Sequence, residues 1–260
     1  MEQTPDLFFI FVVFVFGMII GSFLNVLIYR LPRDKSIIYP PSSCPECGHK
    51  IKWYENIPII SYLILKGKCS SCRKKISLRY PFVEFLTGLS AVVSYLKWGF
   101  SLDFVFSFLF LSLVIVVIFV DIDFKIIPDE INLIGFMSGI IYSFFRSDFS
   151  VFDAVIGAFV GAGFLSAVAY FYLKFRKIEG LGMGDVKLLA FLGTYLGWFG
   201  SLFTIFLGSL IGAVVGIYIA YLQKAEDKSR FEIPFGPFLS VAAVVYLFFG
   251  KYIKNFYFGY

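Results

Sequence analysis

Charge is what this chain has least of. Only 16% of its 260 residues are Asp, Glu, Lys or Arg, where a soluble globular domain carries about 25%. So little charge cannot coat a soluble domain, and hydrophobic residues make up 59% of the chain, 35 of them Phe. There is one histidine, His49, which all but excludes histidine-based acid–base chemistry and the Ser/His and Cys/His pairs of covalent catalysis. Cysteines number four, all confined to Arg30–Arg79. No glycine-rich loop follows a strand-like run, so the usual glycine cradle for a phosphate-bearing cofactor is absent.

What the chain has in quantity is uncharged length. Leu7–Tyr29, Phe104–Val120, Ala154–Leu173 and Ile233–Gly250 carry no charge, and each has about the length that crosses a hydrocarbon core. Leu188–Gln223 is also uncharged but too long for one crossing. Gly197-Trp198-Phe199-Gly200 in its middle predicts a turn between two helices. Phe82–Leu96 and Ile131–Phe145 are shorter candidates. The expectation is an all-α polytopic membrane protein of about eight transmembrane helices. Leu7–Tyr29 reads as a retained first helix, because Glu2 and Asp6 precede it where a signal peptide is basic, and no small-residue cleavage site ends it.

The loops orient the bundle. Arg30–Arg79 holds 11 Lys and Arg against Asp34, Glu46 and Glu55, which predicts a cytoplasmic segment. The chain then starts outside, and Lys97–Asp103 and Arg146–Ser150 lie outside as well. Asp121–Glu130, Lys174–Asp185 and Lys224–Glu232 lie inside, while Lys251 and Lys254 in the tail depart mildly from the rule. The net charge of +5 thus marks a surface against the lipid bilayer and gives no indication of a nucleic-acid partner.

The cysteines come as Cys44-Pro45-Glu46-Cys47 and Cys69-Ser70-Ser71-Cys72, with 21 residues between the pairs. Two C-x-x-C pairs at this separation fit a tetrahedral site of four thiolates, and zinc is the expected ion. Gly48 suits the knuckle after Cys47. A segment of about fifty residues with few large apolar side chains needs such a staple to fold. Disulfides fit a reducing cytoplasmic loop poorly. Four Cys ligands leave no open position, so the metal is structural, and His49 reads as a solvated loop residue. Arg73, Lys74 and Lys75 read as orientation and lipid-contact residues.

Two acidic motifs close apolar runs on the same predicted side: Asp121-Ile122-Asp123-Phe124-Lys125-Ile126-Ile127-Pro128-Asp129 and Gly182-Met183-Gly184-Asp185. Carboxylates at a bilayer edge are expensive and usually functional. Two of them a few ångströms apart cannot both ionise cheaply, so they share a proton and titrate as a pair. Such a pair can activate a water against a peptide carbonyl. On the residues alone, Asp121 and Asp185 also read as helix-end groups, Asp185 as an N-cap with Lys187 to neutralise it. Gly180, Gly182 and Gly184 free the backbone around Asp185. Asp129, after Pro128, reads as the N-cap of the next helix, and Asp123 as a supporting surface residue. Ser22 and Asn25 read as interhelical hydrogen-bond partners, and Glu84 reads as an interfacial anchor or a residue lining the site, the anchor being preferred.

The pattern resembles the bifunctional type IV prepilin peptidases, polytopic G-x-G-D aspartic peptidases. The segments that carry it are Gly21-Ser22-Phe23-Leu24-Asn25-Val26 through Arg30-Leu31-Pro32, both C-x-x-C pairs and Glu55-Asn56-Ile57-Pro58. Arg79-Tyr80-Pro81-Phe82-Val83-Glu84, the Asp121–Asp129 motif, Gly182–Lys187 and Ile233-Pro234-Phe235-Gly236-Pro237 complete it in family order. The resemblance implies a catalytic pair of Asp121 and Asp185, supported by Gly182, Gly184, Asp123 and Lys187. It implies cleavage after a glycine of the basic leader of type IV prepilins or type II secretion pseudopilins, at the bacterial inner membrane. Methylation of the new N-terminal residue, usually Phe, by S-adenosylmethionine would follow, and a direct role in methyl transfer is the alternative reading of Ser22 and Asn25. Three regions result: a first transmembrane helix over 1–29, a four-cysteine zinc-binding loop domain associated with methyl transfer over 30–80, and a transmembrane peptidase core over 81–260. Arg33–Pro41 is shorter than in many relatives.

Three other readings compete. A peptidase without methyl transfer fits every motif except the cysteine loop. A non-enzymatic zinc-ribbon assembly protein leaves the G-x-G-D setting unexplained. A transporter or proton relay would set its acids near mid-span rather than at span ends.

Overall fold

The structure, a computed structural model, describes residues 6–177, 182–222 and 233–259. Gly180 and the Lys224–Glu232 loop lie outside the described residues, as does the chain start before Asp6. Among the described residues the long elements are all helical, with β pairing limited to two isolated bridges. The helices are α1 (Leu7–Arg30), α2 (Ile60–Ile64), α3 (Arg79–Trp98), α4 (Leu102–Phe124), α5 (Asp129–Ser143), α6 (Val151–Arg176), α7 (Met183–Leu222) and α8 (Gly236–Phe258). Five of them, α1, α4, α6, α7 and α8, are long and apolar enough to cross a membrane. The chain is therefore a multi-pass membrane protein. α5 has 15 residues and α3 carries Arg79, Glu84 and Lys97, so neither meets that measure.

The chain divides into two compact units, Met1–Val116 and Val117–Tyr260. In the first, α1 and α3 touch through small residues. A Cβ on Gly17 would fall 2.8 Å from the Gly88 Cα, and one on Gly21 would fall 2.7 Å from the Glu84 Cα. Val13, Ala91, Phe104 and Phe108 close a buried cluster beside them. Asn25 bonds across this seam: its Nδ2 donates to the Tyr80 carbonyl at 3.0 Å, as expected of an interhelical partner.

The second unit is a set of close helix contacts around α7, whose 40 residues would span about 60 Å if straight. It is not straight. Gly197, with φ 74° and ψ −179°, interrupts it, a conformation open to glycine and costly for other residues. A Cβ on Gly161 of α6 would lie 2.9 Å from the Leu189 carbonyl oxygen and 3.3 Å from the Ser201 Cβ. One point on α6 thus touches both arms, so the chain folds back at Gly197 and α7 is a helical hairpin, as the Gly197–Gly200 segment predicts. The break frees the Tyr195 carbonyl, which accepts from Arg146 Nη1 at 3.2 Å.

In lipid, helices gain little from apolar burial against one another, so close backbone approach and internal hydrogen bonds hold them. Gly157 sits against the Gly193 carbonyl, and Ser201 Oγ donates to the Gly157 carbonyl at 2.9 Å. Gly135 and Gly139 of α5 receive Phe191 and Thr194 of α7. On the second arm, Gly208 and Gly212 meet Leu239 and Phe238 of α8. A methyl at Gly157 has no room before the Gly193 carbonyl. We expect Gly157→Ala to cost about 1–3 kcal/mol, read as a lowered thermal midpoint in detergent. Gly163, with nothing near it, should accept Ala without loss.

These contacts give the unit two ends. Arg146, Phe149 and Gly197 meet at one, where the Phe149 ring abuts Gly197. At the other lie the end of α4, the 125–128 loop and the first turns of α5, α7 and α8.

Candidate functional site

That second end collects the acidic motifs. Asp121, in the last turn of α4, is 4% exposed, and its Oδ2 accepts the backbone N–H of Gly236 at 2.9 Å, 115 residues away. Gly236 opens α8, with Pro237 behind it. The helix start therefore presents a free N–H to the carboxylate, one of the donors a helix leaves unpaired at its beginning. No side chain fits there: a Cβ on Gly236 would fall 2.6 Å from Asp121 Oδ2 and 3.2 Å from Ile127 Cδ1.

Asp185 arrives from the other motif. It is half-buried in the first turn of α7, with its N–H on the Gly182 carbonyl at 3.2 Å. Gly182 lies against its carboxylate, a Cβ there falling 3.6 Å from Asp185 Oδ2. Gly184 packs on buried Ile127, where a Cβ would meet the Ile127 Cβ at 3.4 Å. Ile127 thus packs against Gly184, next to Asp185, and against Gly236, whose N–H bonds Asp121. Two carboxyls from distant parts of the chain are brought to one end of the unit.

The remaining acids sort differently from their expected places. Asp129 follows the cap position, which Pro128 occupies, and stands in the first turn of α5. Its carboxylate holds Lys187 Nζ at 2.7 Å through both oxygens. Lys187 therefore neutralises Asp129, where it was expected to serve Asp185. The reason is register: α5 and α7 run parallel here, so their first turns lie side by side. Asp123 is exposed. Glu84 is no interfacial anchor; it is 8% exposed and accepts the Ile59 N–H at 2.8 Å.

In the first unit the four thiols converge. All four Sγ atoms lie within 4.8 Å of one another, with Cys44 and Cys72 at 3.9 Å and Cys47 and Cys69 at 4.0 Å. A tetrahedral site with metal–sulfur bonds of about 2.3 Å has edges of about 3.8 Å. None of the thiols is disulfide-bonded, and the set can hold a metal ion. The two pairs are near copies. Cys44 N–H bonds the His49 carbonyl as Cys69 N–H bonds the Lys74 carbonyl. Gly48 takes φ 70° after the first pair, and Arg73 takes φ 60° at the same place in the second. The Cys72 and Ser71 backbone N–H groups push the Cys69 thiol down to about 6, while burial and the neighbouring thiols push Cys72 up to about 11. Lys74 ties the knuckles through Glu46 at 2.8 Å. Glu55 is held down to about 2 by the Lys52 N–H and then the Ser70 hydroxyl, and it also takes His49 at 3.2 Å. His49 is thus a knuckle residue rather than a ligand.

Residues 15–98 match the Bacterial Peptidase A24 N-terminal domain, and residues 108–217 match the Type IV leader peptidase family. A relative from Pseudomonas putida, a prepilin leader peptidase/N-methyltransferase by name, is 35% identical across 95% of this chain and 92% of its own. The chain belongs to this family. Relatives of the same name from Stutzerimonas stutzeri and Pseudomonas aeruginosa are 38% and 35% identical, over 96% and 98% of this chain and 94% and 95% of theirs. No solved structure matches the chain. Both family segments contain one of the arrangements above: the thiol cluster falls in the first, and Asp121 and Asp185 fall in the second.

Proposed function

We propose that the protein is a membrane aspartic endopeptidase that removes the basic leader of a type IV prepilin or type II secretion pseudopilin after a glycine. It then methylates the new N-terminal residue, usually Phe. The observation that supports the first half is that Asp121 and Asp185 come to the same end of the second unit, around Ile127 and the start of α8. One carboxyl takes a proton from water, while the other protonates the carbonyl oxygen and then the leaving amine. No covalent intermediate is needed. The Gly236 N–H fixes the rotation of Asp121, so the pair keeps its geometry without a bulky neighbour.

The second half rests on the family and on the thiol cluster. Zinc is the ion inferred for Cys44, Cys47, Cys69 and Cys72; it would hold the two knuckles together and leave no position for substrate. S-adenosylmethionine would supply an electrophilic methyl group. The eight crossings expected from the runs correspond to α1, α3, α4, α5, α6, both arms of α7, and α8. The basic loops orient them in the bacterial inner membrane with the acid pair and thiol cluster on the cytoplasmic side and the chain start outside. A substrate with a basic cytoplasmic leader and an apolar helix brings its cleavage point to that depth.

The test is processing of a full-length prepilin by the purified protein in detergent, with the mass of the new N-terminus read with and without S-adenosylmethionine. Cleavage after the leader glycine and a one-methyl gain are expected; an intact prepilin refutes the peptidase, and an unmethylated product refutes the transferase. Gly236→Ala is expected to lower cleavage about 10²-fold, the usual cost of displacing a catalytic group by an ångström. Gly212→Ala, farther along the same helix pair, serves as the control.

A further inference from the structure

Three segments of the first unit tie themselves around Glu84. Its buried carboxylate accepts the Ile59 N–H at 2.8 Å, and the Ser22 side chain lies beside it. Among the described residues it meets no cation. A carboxylate carries about four acceptor sites, so it can take further N–H donors beside that of Ile59. Burying such a group without a positive partner is costly, which points to a partner that arrives during function.

The turn it holds is itself unusual. Ile59 has φ 60° and ψ −48°, and the Ile60 N–H bonds the Pro58 carbonyl around it. That is the rare, strained form of the γ-turn, centred on a β-branched residue that avoids positive φ. Strain of this kind persists where the surroundings over-determine it, and it concentrates at functional sites. Behind the turn, α2 carries Ile60, Leu63 and Ile64 with their side chains exposed. An apolar lip therefore adjoins a buried anionic group, the complement of a chain that begins with a free amine on an apolar residue.

We propose that Glu84, with Ser22 and the Ile59 turn, receives the α-ammonium of the freshly cleaved chain and takes its proton ahead of methyl transfer. The inference rests on the methyl-transfer reading above. The ammonium gives one proton to the Glu84 carboxylate. The neutral amine's lone pair then forms the N–C bond as the donor's C–S bond breaks, its electron pair staying on sulfur. The product is a secondary ammonium, and Glu84 returns its proton to water. An ammonium suits the site better than the donor's sulfonium, because it has N–H groups to donate to the carboxylate and a sulfonium has none.

The test uses the full-length protein in detergent with three probes: an intact prepilin, a pre-cleaved pilin segment with a free N-terminus, and the same segment N-acetylated. For Glu84→Gln, cleavage of the prepilin should stay within about twofold, since the acid pair is untouched. Binding of the free-amine segment, followed by calorimetry, should weaken at least about tenfold, the worth of a charge-assisted hydrogen bond. Its KM for methylation should rise alongside, the KM for S-adenosylmethionine should not, and Glu84→Asp should recover part of the loss. The acetylated segment should bind the wild type and Glu84→Gln alike. Ser22→Ala should move the same quantities less. Unchanged binding and methylation in Glu84→Gln, a rise confined to the donor's KM, or parallel loss of cleavage and methylation would each overturn the proposal. Wild-type protein that cleaves but never methylates refutes the transferase reading and this inference with it. Methylation with an unchanged KM for the segment in Glu84→Gln refutes this inference alone.

Discussion

Asp121→Asn and Asp185→Asn should each abolish prepilin cleavage while leaving the protein folded. The argument for folding is geometric. Asn keeps the size of Asp, and at position 121 its carbonyl oxygen still accepts the Gly236 N–H that Oδ2 takes at 2.9 Å. What the amide loses is the ability to give or take a proton, the step general acid–base catalysis supplies at about 10²–10⁴-fold. In the proposed mechanism the two acids work on one water as a unit, so the double variant should be no slower than either single one. Asp123→Asn is the matched control. That side chain is exposed and off the helix face that buries Asp121, so its activity should stay within about threefold, the scale of a surface change. Methylation of a pre-cleaved segment should survive in all of them, since the Glu84 and thiol groups belong to the other compact unit. Gel shift and N-terminal mass on the same membranes separate the outcomes. More than about a tenth of wild-type cleavage in either single variant, well above the loss expected of a missing acid–base group, would remove that acid from the catalytic pair.

Several of these features were legible from residue types and spacing. An uncharged run as long as Leu188–Gln223 is too long to cross once, and Gly197 was the place within it where a backbone reversal costs least. The C-x-x-C pairs announced their own convergence, because two such pairs at this separation have the spacing of a four-thiolate site. The two acidic motifs were assigned to one side by counting crossings, and they do share an end of their unit. What stayed hidden has a common physical cause. The contact from Gly236 to Asp121 is made by a backbone N–H, which every residue but proline owns, so no side chain advertises it. Lys187 was matched to Asp185, its near neighbour in the chain, because the sequence carries no sign that α5 and α7 lie in parallel register with Asp129 alongside. Glu84 looked like an anchor because a helix-start acid usually is one, and only the fold of the 57–60 segment over it says otherwise. Arg73 at φ 60° takes a place where the first knuckle uses glycine; the near-repeat of the two knuckles was the available clue.

Removing the metal inferred for the cysteine cluster should undo the first unit's loop outright. Around the knuckles the 43–76 segment is held by two isolated bridges, Ser43 with Lys50 and Lys68 with Lys75, by Glu55 on the Lys52 N–H and His49, and by the exposed Lys74–Glu46 pair, of a kind that contributes at most about 1 kcal/mol. A four-thiolate zinc site contributes about 10–16 kcal/mol of apparent binding energy at neutral pH, so the ion dominates everything else in the loop. The protein as purified should carry one zinc per chain by mass spectrometry. Cys47→Ser, or dialysis against a strong chelator, should strip it and open the Lys66–Lys75 stretch to trypsin within minutes, while far-ultraviolet helix content changes little. His49→Ala should keep its full zinc, because His49 pairs with Glu55 and supplies no ligand. Methylation should fall with the metal and cleavage should fall less, since the acid pair does not draw on the knuckles for any contact described above. Acid should release the ion, as the thiolates must take up protons to let go. A metal-free protein whose loop still resists trypsin would show that hydrogen bonds and Glu55 suffice, and the cluster would then need another purpose.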